Sequence, residues 1–224
     1  MKRMVFVGYD SAQDIAYKVL RYSILVNATR QVDVYPIILD DVRKRFGFNR
    51  VHDPLQSTEF TYTRFLVPLM CDYQGIAVFM DSDMLALGDV SQLFDLDMTP
   101  FALRVVKHDH KPLNPVKMGQ LGRVQQAYPR KNWSSLFIAD CSKLKCWTKE
   151  AVETKSPAWL HRFEPVPDDA IGDLDKTQWN VLDYYDNINT KLVHFTEGGP
   201  WLPGCENHPY GDVWFRYKRM WETR

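Results

Sequence analysis

The feature that most constrains this chain is Ile76-Ala77-Val78-Phe79-Met80, an unbroken apolar run that passes directly into Asp81-Ser82-Asp83. Such a run reads as a strand buried on both faces, the condition of a central strand in a parallel sheet covered by helices. Carboxylates at the end of that strand are badly placed for folding alone, because burial penalises their charge. Side chains two apart on an extended strand point the same way, so Asp81 and Asp83 can aim at one point while Ser82 turns away. Hard oxygen ligands in that arrangement suit Mg²⁺ or Mn²⁺ shared with phosphate oxygens. The plainer alternative, that Asp-Ser-Asp caps the turn into a following helix, is weakened by the buried strand before it.

The flanking sequence supports an α/β chain. Val5 to Val7 is a short apolar run ended by Gly8; Ser11-Ala12-Gln13-Asp14 resembles a capping box, followed by Ile15, Val19, Leu20 and Ile24 at helical spacing. A second strand over Val32 to Leu39, edge-like because of Pro36, arrives one helix later, as a right-handed βαβ unit requires. Asp40 to Ser57 reads as polar and basic. Thr58 to Gly75 is expected to be a helix bent at Pro68, Phe101 to Val106 and Leu136 to Ala139 are expected strands, and a helix is expected near Lys143 to Val152. A strand over Lys191 to Phe195, a Gly- and Pro-rich turn from Gly198 to Gly204 and an amphipathic helix from Asp212 to Trp221 close the chain. Lys107 to Lys131 reads as a lid or binding loop. With no repeat and no linker, residues 1–224 are expected to form one domain, a length that buries roughly 70% of the unfolded surface.

Composition narrows the partners. Twenty-eight basic and 28 acidic residues cancel, so no global field draws the chain to nucleic acid, and an anionic ligand must be held by a local site. Cys71, Cys141, Cys146 and Cys205 lack metal-finger spacing and read as reduced thiols of a cytoplasmic protein. The opening Met1 to Gly8 is too short for a signal peptide or membrane span, so at most a peripheral membrane association is expected. Seven Trp, 11 Tyr and 12 Phe offer flat faces, of which Trp133, Trp179 and Trp201 are candidates for sugar stacking and equally for core or rim packing.

Two later segments extend the candidate site. His194, at the end of the last expected strand, can complete a metal shell through a neutral imidazole nitrogen, or serve as a hydrogen-bonded structural residue. Thr196-Glu197-Gly198-Gly199-Pro200-Trp201 lets backbone N–H groups approach an anion, or forms a simple turn.

Taken together, Val5-Phe6-Val7-Gly8-Tyr9-Asp10, Thr61 to Phe65, Phe79 to Leu85, Asp89-Val90, Leu93-Phe94, Asn132 to Leu136 and His194 to Trp201 resemble glycosyltransferase family 8, the GT-A group that includes glycogenin and lipopolysaccharide galactosyltransferases. The resemblance implies a Rossmann-like, mixed but mainly parallel sheet flanked by helices. It implies a nucleotide-sugar donor, a UDP-sugar in the first instance, and a glycan or other hydroxyl acceptor. By position it places Gly8, Tyr9 and Asp10 at uridine, and Asp81, Asp83 and His194 on Mn²⁺ or Mg²⁺. Arg64, Ser82, Asp109, Asn132, Ser134, Ser135 and Gly198 fall on the donor, and Asp175 or its rival Asp173 near the anomeric carbon. It further implies retention of configuration. One departure stands out: where relatives carry a lysine before Pro-Trp, this chain has Gly199, leaving Arg130, Lys131 or the Gly198 backbone to meet the diphosphate.

Two other readings are open at this level. In a haloacid-dehalogenase-type phosphatase Asp81 would be the nucleophile, Asp83 the acid, Lys143 or Lys145 the charge neutraliser and Asp168 with Asp169 the Mg²⁺ ligands. Against it, two βα-like segments precede the motif and Leu85 stands where a hydroxyl residue is expected. The other is a nucleotide-sugar-binding module without turnover.

Overall fold

The computed structural model describes residues 2–54, 56–109, 129–183 and 188–224. Its centre is a six-stranded sheet built from β1 (Met4–Gly8), β2 (Asp33–Ile37), β3 (Ile76–Met80), β5 (Leu103–Val105), β6 (Leu136–Asp140) and β7 (Ile171–Asp173), in the order β2-β1-β3-β6-β5-β7. β1 pairs in parallel with β2 and β3, and β5 with β7, while β6 is antiparallel to both neighbours. Five of these six strands therefore run one way, and the sheet is mixed but mainly parallel. The strand carrying Pro36 lies at the outer edge, where a missing N–H costs no ladder bond.

β3 is covered on both faces, as its apolar run requires. Ala77 and Phe79 join a core with Phe65, Phe137 and Trp147, whereas Val78 and Met80 join one with Val5, Val7, Leu20 and Ile24 of α1 (Asp14–Asn27). Each fully buried large side chain in these layers contributes roughly 1.5–3 kcal/mol. Phe79 and Phe137 stack across the β3–β6 pair at 5.0 Å between ring centroids.

A second sheet of β4 (Met84–Ala86), β9 (Leu192–His194) and β8 (Val181–Leu182) has the order β4-β9-β8. β4 begins directly after Asp83 and pairs antiparallel with β9, with Met84 opposite His194. That register brings a residue more than a hundred positions away beside the end of β3. Helix α6 (Gly211–Glu222) packs with α1 around Trp214, which joins Leu85, Val193 and Phe195 in a third cluster.

Several local expectations change. Asp10 caps a 3₁₀ turn over Ser11–Gln13, its carboxylate accepting from the Ala12 N–H at 3.0 Å, while Ser11 donates to Glu59; α1 starts from Gln13 with no side-chain capping bond, so the capping box does not form. Thr58 to Gly75 is not one helix: a 3₁₀ turn over Thr63–Leu66 precedes the short α3 (Val67–Met70). Pro68, having no N–H, can stand in the first turn of a helix but not in its interior. The stretch read as polar holds α2 (Leu39–Phe46), which buries Val42. Near Lys143 to Val152, Thr148 caps α4 (Lys149–Thr154) with its Oγ1 on the Ala151 N–H and so separates it from the turn at Cys141–Lys143. Ser156 likewise caps α5 (Pro157–His161). Most of the long loop expected over Lys107 to Lys131 lies outside the described residues.

Candidate metal and donor site

Strand direction assembles this site. The carboxyl ends of β1, β3, β5 and β7 share one edge of the sheet, and β6, running backwards, contributes its amino end to the same edge. Gly8 to Asp10, Asp81 to Asp83, the start of the Lys107 loop, Asn132 to Ser135 and Asp173 therefore meet along one border, where open α/β sheets bind ligands.

Asp81, Asp83 and His194 converge there, with one ligand atom from each lying within 4.8 Å of the others. His194 Nε2 is 3.3 Å from Asp83 Oδ1, and its other nitrogen, Nδ1, is 2.8 Å from Asn180 Oδ1. The donor set, two carboxylates and an imidazole with a further polar group behind it, suits Mn²⁺ or Mg²⁺. Convergence of like-charged groups on one point is what a cation site supplies and what folding alone does not favour.

Arg64 is not on Glu59, its neighbour on the same segment. Its guanidinium is buried between the rings of Phe60 and Phe79, 5.1 Å from each centroid, and Nη1 reaches both Asp81 Oδ1 at 2.8 Å and the Ser134 carbonyl at 2.9 Å. Arg64 thus holds Asp81 in place and offsets its charge. Asp81 is further fixed by its own N–H on the Ser135 carbonyl at 2.9 Å, and the Asp83 carbonyl receives the Phe195 N–H at 2.9 Å. Ser82, between them, is buried.

At the end of β1, a Cβ added to Gly8 would stand 2.1 Å from the Phe60 ring, so the glycine is required by close packing. Asp10 accepts from the N–H groups of Ala12 and Glu59 and shapes the loop. Tyr9 donates to Asp14 at 3.0 Å and meets Tyr17 edge-on; burial first, then Asp14, pushes its phenol pKa up.

The Asn132 to Ser135 turn lies beside the metal set: Asn132 is left-handed (φ 64°), and Ser135 Oγ donates to its carbonyl at 2.6 Å. Ser134 Oγ lies 2.8 Å from His161 Nδ1. Burial first, then the charges of Arg64 and Arg50, lowers the His161 pKa to about 3, so that ring is neutral. Trp133 donates its indole N–H to the His108 carbonyl at 3.0 Å, tying the two described ends of the long loop together. Gly198 (φ 121°) belongs to the turn after β9.

The remaining nominated residues are not gathered into this cluster. Asp109 is exposed at the last described position before the loop. Asp173 is exposed and faces Lys107 Nζ at 3.3 Å. Asp175 folds back on its own turn, accepting from the Thr177 N–H and hydroxyl and from Gln178 Nε2; the Thr177 hydroxyl, then its N–H, holds the carboxyl below the usual range. Arg130 is engaged by the Arg162 carbonyl and Asp168. Lys131 is buried beside Asn132. Of the tryptophans, Trp179 is buried and Trp201 is held by Gln13 Oε1 at 3.2 Å. Sequence reasoning missed Asn180, a fully buried amide between Trp179 and Val181 that no local sequence signal marks.

The phosphatase constellation is not assembled. Lys143 donates to the carbonyls of Met98, Thr99 and Phe101 and pairs with Asp140, which lies opposite Ile76 at the far end of β3 from Asp81.

Comparison with known proteins agrees with this geometry. Residues 16–164 match the model of glycosyl transferase family 8. The chain belongs to glycosyl transferase family 8. It is 40% identical to Protein CDI of Arabidopsis thaliana over 219 residues, covering 94% of this chain and 83% of that protein. Among solved structures it resembles the apo form of the glycosyltransferase GlyE of Streptococcus pneumoniae TIGR4, with a TM-score of 0.60 and 17% identity over 100% of this chain. It spans 62% of GlyE's length. It also resembles the galactosyltransferase LgtC in complex with donor and acceptor sugar analogues, with a TM-score of 0.58 and 11% identity over 97% of this chain and 95% of LgtC. Those likenesses give the chain the GT-A fold, and the family match is what places it among nucleotide-sugar glycosyltransferases. Among the described residues, no helix is long and apolar enough to cross a membrane.

Proposed function

We propose that this family 8 chain, acting as one domain, transfers a hexose from a UDP-sugar to a hydroxyl of a glycan or other acceptor, with retention, using Mn²⁺ or Mg²⁺ held by Asp81, Asp83 and His194. The observation that carries this reading is the convergence of those three ligand atoms within 4.8 Å at the tip of the central strand. When bound, the cation offsets the negative charge that grows on the departing nucleotide diphosphate.

The chain's own groups complete the reading. Gly8, Tyr9 and Asp10 form the base pocket at the end of β1. Arg64 aims Asp81 and offsets its charge by its bonds to that carboxylate and to the Ser134 carbonyl. The backbone N–H groups around Gly198 meet the diphosphate in place of the family lysine, and Asn132 to Ser135 line the sugar side. The bond between the anomeric carbon and the phosphate oxygen breaks, the acceptor oxygen bonds to that carbon from the same face, and the acceptor proton passes to the leaving phosphate. Asp175, or its rival Asp173, is the carboxylate near the anomeric carbon, and the Asp175 turn must rearrange before its carboxylate can act.

The test is a donor screen with Mn²⁺ over UDP-, GDP- and CDP-sugars. Chelator-sensitive release of UDP from a UDP-hexose, with the product anomer matching the donor by NMR, is the expected result. Nucleotide release at the protein-free rate for every donor, with and without acceptors, would sink the proposal.

A further inference from the structure

The buried amide of Asn180 has only one orientation consistent with its neighbours. Its Nδ2 lies 3.3 Å from the Asn132 carbonyl oxygen and 3.0 Å from Ser135 Oγ, whose own proton goes to that same carbonyl. Both are acceptors toward Asn180, so the nitrogen must face them and Oδ1 must face His194. Oδ1 can only accept, which requires a proton on His194 Nδ1, 2.8 Å away. Nε2 is then the nitrogen turned toward Asp83 Oδ1, 3.3 Å away.

We infer that Asn180 is a positioning residue: it fixes His194 in the Nδ1-protonated form, presents Nε2 as a ligand, and fastens that ring to the Asn132–Ser135 turn. The metal-ligand half of this inference rests on the proposed function; the tautomer half does not. The turn is also bonded to the other half of the ligand set, through Ser135 to the Asp81 N–H and through Ser134 to Arg64. One short segment thereby sets the geometry of both an aspartate and the histidine, and displacement of the turn by a bound sugar is transmitted to the cation's ligands. Asn180 itself adopts a left-handed backbone (φ 49°), which asparagine tolerates and most residues resist.

That backbone indicates the clean substitutions. Asn180→Gly removes the side chain without backbone strain, and Asn180→Asp keeps an acceptor for Nδ1–H. Long-range ¹H–¹⁵N spectra of the imidazole, recorded metal-free at alkaline pH on ¹⁵N-histidine-labelled protein, report which nitrogen is protonated. The expected spectrum has His194 protonated at Nδ1 in wild type and Asn180→Asp, and loses that state in Asn180→Gly. Mn²⁺ affinity, read by paramagnetic resonance, is expected to fall roughly ten- to hundredfold in Asn180→Gly. A wild-type ring protonated at Nε2, or on both nitrogens under those conditions, overturns the inference even if a variant fails to fold. So does an Asn180→Gly spectrum unchanged from wild type. Failure of wild type to bind Mn²⁺ despite an Nδ1-protonated ring overturns the metal half and the proposed function, leaving the tautomer assignment intact.

Discussion

Gly199 occupies a position with no room for a side chain. A side chain there meets the Trp201 ring: an added Cβ would lie 2.0 Å from its carbons. That ring cannot easily yield, because it is bonded to Gln13, packed edge-on to Phe195 at 5.6 Å and tilted against Trp214 at 5.2 Å. A side chain at position 199 would therefore have to displace the Trp201 ring. Gly199→Lys is expected to overpack the turn at a cost of about 1–3 kcal/mol, lowering Tm by roughly 2–4 °C for each kcal/mol in a chain of this size, with no gain in UDP affinity. Thermal unfolding and calorimetric titration check this; an unchanged Tm with tighter UDP binding would show that the ring moves aside. The sequence showed Gly199 but not the ring packed against it, since Trp201 folds back through contacts with residues near both ends of the chain.

At the scale of elements, legibility followed the apolar pattern. β1, β3, β6, β9, α1 and α6 were all readable, because continuous or periodic apolar residues mark them without help from distant partners. Thr58 to Gly75 was misread because its many apolar residues suit a helix, while Pro68 forbids one through its centre. β4, β7 and β8 span only two or three residues and exist through their pairing partners, so no local signal announces them. α5 illustrates what such a partner-dependent element does: its last residue, His161, is pressed edge-on against Phe65 at 5.1 Å and touches Ser134. Its folded pKa, about 3, lies below the unfolded value near 6.5. Between those values the unfolded chain binds the extra proton, so this ring's contribution is complete above about pH 6.5 and is lost as pH falls toward 3. His161→Gln is expected to flatten the loss of unfolding free energy over that window, by at most about 1.4 kcal/mol per pH unit. Urea titrations from pH 7 to pH 4 that give parallel curves for variant and wild type would contradict this.

For the whole molecule, topology does what local sequence cannot. A mainly parallel sheet brings the ends of β1, β3, β5 and β7 to one border, and the β4–β9 pairing delivers His194 to Asp83 across more than a hundred residues. The Asp-x-Asp pair was legible because a buried strand points at it, and His194 because it ends another strand. Asn180 and the Arg64–Asp81 pair were not, because their roles exist only after the Asn132–Ser135 turn has folded between them. Asp173 and Asp175 were nominated by position, and the structure places them on the same border but in separate contacts with Lys107 and with the Asp175 turn. In the proposed function Asp81, Asp83 and His194 hold a divalent cation against a nucleotide diphosphate. Calorimetric titration of UDP into wild type and Asp83→Ala, each with Mn²⁺ and with chelator, tests it most directly. Mn²⁺-dependent binding in wild type that falls in Asp83→Ala to the chelator level is the predicted result; equal UDP affinity in all four titrations would contradict the account.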